Sequence, residues 1–76
     1  MNVELNFYSL HLKMEEMNIP KHYYSIGSYG EEALCIIFEN EKWCIFEGER
    51  GIRFNTHYFD NESDACNYFV DRIKSF

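Results

Sequence analysis

The sequence predicts an α+β domain: an antiparallel sheet of three or four strands flanked by N- and C-terminal helices, in the order α-β-β-β-β-α. Three observations carry this. Apolar residues recur at helical spacing at both ends of the chain, the middle alternates with period two, and turn residues punctuate that middle. Two amphipathic helices cannot bury their apolar stripes alone, so both are expected to pack on the sheet.

Val3, Phe7, Leu10, Met14 and Met17 step by four, three, four and three, and Leu5, Tyr8 and Leu12 widen the stripe. The helix has a written stop. Asn18 suits the left-handed C′ position, Ile19 falls at C″ over Met14, and Pro20 forbids continuation. Residues 22–26 are short and tyrosine-rich, a first strand, and Gly27 to Gly30 form a turn. Strands follow at 33–38, 43–47 and 52–59, separated by a turn at Asn40 and another at Glu49-Arg50-Gly51. In the last strand Ile52, Phe54, Thr56 and Tyr58 alternate with Arg53, Asn55, His57 and Phe59. The final helix is expected to start with Asp60 as N-cap. Glu62 and Asp64 in its first turn and Arg72 and Lys74 near its end match the helix dipole. Its stripe is Ala65, Cys66, Phe69, Val70, Ile73 and Phe76.

At 76 residues the chain forms one domain, spanning positions 1–76. A domain this small buries only about 60–65% of its unfolded surface, and the 18% aromatic content is what offsets this. Thirteen acids against seven Lys and Arg leave a net charge of −6, which repels phosphate backbones and argues against nucleic-acid binding. The same charge favours a basic protein partner, or serves solubility. Residues 1–12 alternate apolar and polar, so no targeting signal is read there, and no stretch is long enough to span a membrane. Three widely spaced cysteines do not make a secreted disulfide framework, and a reducing cytoplasm is the expected compartment.

No catalytic or cofactor-binding constellation emerges, so the expectation is that the chain is not an enzyme. Cys35, Cys44, Cys66 and His57 lack the short spacing of a zinc site, and all three cysteines lie inside apolar patterns that favour an inert thiol. Glu15, Glu16, Glu31, Glu32, Glu39 and Glu41 fall on helix surfaces and turns, where solvent keeps carboxylates ordinary. Gly27, Gly30, Gly48 and Gly51 precede no helix with phosphate-loop spacing, and His11 and His22 read as surface residues.

The central hairpin gives a sharper reading. With Asn40 and Glu41 as loop residues, Glu39 pairs Lys42, Phe38 pairs Trp43 and Ile37 pairs Cys44. One face then carries Leu34, Ile36, Phe38, Trp43 and Ile45, with Trp43 as a core anchor. The other carries Ala33, Cys35, Ile37, Cys44 and Phe46. If both helices lie over the first face, the second is an exposed apolar patch of the kind that marks an interaction site. If one helix lies on each side, both faces are core. A register slip of one residue would undo the assignment.

Ile19-Pro-Lys-His-Tyr-Tyr-Ser-Ile26 followed by Glu31-Glu-Ala-Leu-Cys-Ile36, then Lys42-Trp43, Glu49-Arg-Gly51, and Phe59-Asp60 leading into Glu62-Ser-Asp-Ala-Cys-Asn-Tyr-Phe69, form an ordered pattern of short matches over roughly positions 10 to 75. This pattern resembles small immunity proteins encoded beside bacterial polymorphic toxins, including those of contact-dependent inhibition. The resemblance implies a small cytoplasmic protein that binds and neutralises a cognate toxin C-terminal domain, often a basic nuclease. It implies no catalytic, metal or cofactor residue. Trp43, Gly51, Asp60 and Ala65 match as structural positions. Cys44 and Phe46 depart from the more polar face expected of the family, which fits a private partner surface or a homodimer. The expected contact surface is Cys35, Ile37, Cys44 and Phe46, rimmed by Glu39 and Glu41. The helix acids Glu15, Glu16, Glu62 and Asp64 are the next place. A homo-oligomeric regulatory or structural module without a toxin partner is the alternative.

Overall fold

The computed structural model describes residues 5–76. It has helix α1 (Phe7–Glu16), a 3-10 turn at Lys21–Tyr23, strands β1 (Tyr24–Ile26), β2 (Ala33–Glu39), β3 (Lys42–Glu49) and β4 (Ile52–Phe59), and helix α2 (Glu62–Ile73). The predicted order of elements holds. The sheet order is β1-β2-β3-β4 and its pairings are antiparallel except for the first, β1 with β2, which is parallel. Parallel neighbours usually need a crossover of a dozen or more residues. Here β1 is only three residues long, so the six residues 27–32 suffice to bring the chain back. Val3 of the first helical stripe lies outside the described residues.

Both ends of α1 are closed by local chemistry. Asn6 is the N-cap, exchanging hydrogen bonds with Ser9 in a capping box. At the other end Asn18 has φ +58, its N–H donates to the Glu15 carbonyl and that of Ile19 to the Met14 carbonyl, each at 3.0 Å. This is the Schellman arrangement expected at that position. Helix α2 differs from expectation by one residue: its N-cap is Asn61, whose Oδ1 accepts from the Asp64 N–H at 2.7 Å. Asp60 is one step outside and pairs instead with Lys42.

The hairpin register is as expected: Glu39 opposite Lys42, Phe38 opposite Trp43, Ile37 opposite Cys44. Asn40 and Glu41 are both left-handed, with φ of +52° and +63°, as a type I′ turn requires. Both helices cover the first face. Leu10 and Met14 of α1, Ala65, Cys66, Phe69, Val70 and Ile73 of α2, and Leu34, Ile36 and Ile45 of the sheet form the main core. Trp43 sits at its border, half-buried, with its ring 4.6 Å from that of the exposed Phe38. The centre belongs to Phe69, Leu10 and Met14 rather than to the tryptophan.

In β4 the simple alternation fails. Ile45 lies opposite His57 and Glu47 opposite Phe54, so Asn55 and Thr56 together face the single residue Phe46. This is a β-bulge, with Asn55 at φ +52°. An extra residue reverses the facing of everything after it. Ile52, Phe54, His57 and Phe59 therefore share the helix side, while Arg53 and Tyr58 share the other.

Two stability predictions follow from this packing. Asn18→Gly keeps the left-handed C′ residue and removes its Cβ, so its thermal midpoint should equal or slightly exceed that of the wild type. Phe46 has no exposed surface, so Phe46→Ala should cost about 3–5 kcal/mol in denaturant unfolding.

Candidate interaction surface

The second sheet face holds Ala33, Cys35, Ile37, Cys44 and Phe46, as the register required, but it is not open to solvent. Every one of the five is buried. The expectation of an exposed apolar contact surface at Cys35, Ile37, Cys44 and Phe46 is corrected. No helix among the described residues lies over them. Instead, side chains from the loop 27–32 and from two positions on β4 close the face in a layer one side chain thick.

The first cover is the loop 27–32. Its Tyr29 ring stacks on Phe46 with centroids 6.0 Å apart and planes inclined by 22°. The Gly30 N–H donates to the Cys35 Sγ at 3.3 Å. The loop runs so close to β3 that a Cβ on Gly48 would overlap the Gly30 carbonyl oxygen and press within 3.1 Å of the Tyr29 ring. A glycine inside a strand pattern signals such an approach, and Gly48 is the mark the sequence carried for this contact.

One carboxylate holds the loop down. Arg50 and Gly51, the two loop residues of the β3–β4 hairpin, are left-handed at φ +54° and +76°, which aims consecutive N–H groups outward. Glu31 accepts both, Oε2 from Arg50 at 2.8 Å and Oε1 from Gly51 at 2.7 Å. The Tyr29 hydroxyl donates to the same Oε1 at 2.7 Å and accepts from Gly51 at 2.8 Å. The bond from Tyr29 and the two backbone donors hold the Glu31 carboxyl below its ordinary value. Packing of Tyr29 against its neighbours and its bond to Glu31 push the phenol up.

The second cover is Arg53 on β4. Its guanidinium lies 4.7 Å from the Phe46 ring centroid, a cation–π distance, and forks onto Glu39 at 2.5 and 3.3 Å. Glu39 is thus a strut of the cover rather than a free rim charge, and its carboxyl is held low chiefly by the hydrogen bond from Arg53. Glu41, in the β2–β3 turn, is exposed and makes no ion pair among the described residues. The third cover is Tyr58, the cross-strand partner of Cys44, which remains 63% exposed.

Burial pushes all three thiols up, Cys66 to about 12, so each stays protonated and unreactive at neutral pH. Among the described residues no group of His, Cys, Asp and Glu could hold a metal ion. No described helix is long and apolar enough to cross a membrane. The helix acids are partly engaged: Glu62 accepts from the first amide of α1, Phe7 N–H, at 3.1 Å, Asp64 accepts from Asn61, and Glu16 pairs with Lys13 at 3.5 Å. Glu15 makes no ion pair among the described residues. Two concavities lie elsewhere. A cleft of about 380 Å³ between the β3–β4 hairpin and Phe76 is lined by Glu32, Glu47 and Glu49 with Phe54. A groove of about 310 Å³ between the helices is lined by Leu5, Leu12 and Val70.

The pinning carboxylate sets a pH signature. Glu31 and Glu39 have folded values below the ordinary 4.5, so their contribution is complete above that pH and lost as the pH falls through the folded values. Tyr29 has a folded value above 10.0, so its contribution is complete below that pH and lost in stronger alkali. Acid unfolding below about pH 4.5 should therefore flatten in Glu31→Gln relative to wild type, measured as denaturation midpoint against pH. An unchanged slope would assign the acid sensitivity to other groups.

No family model, no curated protein and no solved structure matches the chain.

Proposed function

We propose that the chain is an immunity protein, one that binds and neutralises a cognate toxin C-terminal domain in the cytoplasm of the cell that makes it. Its helix-free sheet face is the docking surface, and a basic nuclease is the kind of toxin it suits. The observation that carries this reading is the makeup of that face. It is broad, bears no helix, and presents Tyr29, Tyr58 and Arg53 over a fully dried apolar layer. Tyrosine and arginine are the types, with tryptophan, that dominate binding hot spots. Tyr58 is the best anchor, because it has most left to bury. Glu41 in the β2–β3 turn, with the net charge of −6, speeds encounter with a basic domain. The ordered matches from Ile19 to Phe69 support the same class of protein.

The test is co-purification with the product of the adjacent upstream gene, followed by binding kinetics. Tyr58→Ala should leave the free domain folded and weaken the complex by more than about 2 kcal/mol, mainly through faster dissociation. Association should slow as salt is raised. A folded Tyr58→Ala that binds like wild type would move the contact off this face. The acidic cleft at Glu32 and Glu49 would then be the surface to substitute.

A further inference from the structure

The two edges of the sheet are unequal. β1 is three residues long, whereas β4 is eight and its outer edge is unpaired among the described residues. Long open edges with apolar side chains are templates for another strand. Here Ile52 is 55% exposed, and Phe54 and Tyr58 are exposed beside it. We propose that two copies of this chain pair antiparallel along β4, about a two-fold axis passing between Asn55 and Thr56.

The bulge is what makes the strand self-complementary. In a regular strand, antiparallel self-pairing about a point between two residues sets opposite faces against each other, because partners then differ in parity. The extra residue at Asn55 cancels that mismatch. Ile52 and Phe54 before it and His57 and Phe59 after it lie on one side, symmetrically about the axis. Ile52 then meets Phe59 of the second copy, Phe54 meets His57, and on the other side Arg53 meets Tyr58. Apolar and aromatic pairs of this kind are those that stabilise antiparallel ladders.

Charge selects the same edge. Two chains of −6 repel, and they approach at least cost where carboxylates are absent; residues 50–59 contain none. The same register carries Arg50 to the end of the strand beside Asp60 of the second copy. Arg50 makes no ion pair among the described residues, and Asp60, which holds Lys42 through Oδ1, is 86% exposed at its side chain and can take a second cation. The pairing yields an eight-stranded sheet with all four helices on one side and the two tyrosine faces continuous on the other. It rests on the edge of β4 and not on the toxin reading, so either can fail alone.

Sedimentation equilibrium of the purified chain at about 0.15 M salt, where the repulsion between two chains of −6 is screened, from micromolar to millimolar concentration, tests it. The wild type should sediment at twice its chain mass. Ile52→Lys, at an exposed position, should stay folded by circular dichroism and raise the dimer dissociation constant at least about tenfold. Arg50→Glu and Asp60→Lys should each weaken the dimer, and the double variant should recover it. A wild type that remains monomeric to millimolar concentration would overturn the proposal. So would a folded Ile52→Lys that dimerises like wild type, or a double variant weaker than either single one.

Discussion

A sheet has two faces, and among the described residues helices cover one of them. The second has to be dried by other means. Leu10, Met14 and the α2 stripe cover Leu34, Ile36 and Ile45 in the ordinary way. Phe46, Cys35 and Cys44 are no less apolar and no less buried, yet their cover is a tyrosine, an arginine and a turn. Such a cover works because two of its members have a second attachment. Tyr29 is tied to Glu31 and Gly51, and Arg53 to Glu39. A side chain fixed at both ends loses little further freedom when it lies flat on an apolar layer, and its polar end stays satisfied.

The lines of the fold legible in the sequence were those set by neighbours along the chain. Asn40 and Glu41 fixed the hairpin register, and with it the membership of both faces. The Asn18-Ile19-Pro20 stop of α1 is equally local. What was not legible depends on partners distant in sequence, or on one residue out of phase. The bulge at Asn55 costs a single residue and leaves an unbroken alternation to the eye, because Ile52, Phe54 and Tyr58 are apolar in either phase. The N-cap moved from Asp60 to Asn61 because both are good caps and Lys42 claimed the first. The burial of the second face was illegible for a related reason. Its membership follows from the hairpin, but its cover comes from positions 29, 39, 53 and 58, and nothing in 33–46 announces them. Gly48, an unforced glycine in a strand, was the available signal.

The charges are distributed to the same end. Five of the seven basic side chains, Lys13, Lys42, Arg53, Arg72 and Lys74, form ion pairs among the described residues. Two of these are structural. Arg53 to Glu39 spans the covered face, and Arg72 to Glu47, at 2.6 Å and partly buried, ties α2 to β3. The remaining acids face water with few cations among them, so the field outside the domain is negative although its internal joints are neutralised. A surface of that kind attracts basic partners at long range while leaving the contact itself to aromatic side chains.

The Glu31 grip also dictates an order of assembly. Its carboxylate and the Gly51 amide it holds are 20 residues apart, and the amide points correctly only once Arg50 and Gly51 have turned. The β2–β3 and β3–β4 hairpins close through two-residue loops, the least costly closures in the chain. The loop 27–32, although made before both hairpins, can reach Phe46 and Cys35 but lacks this grip until the last hairpin has turned. An earlier part of the chain is thereby fastened by a later one, and until Arg50 and Gly51 have turned the tyrosine over Phe46 is untied.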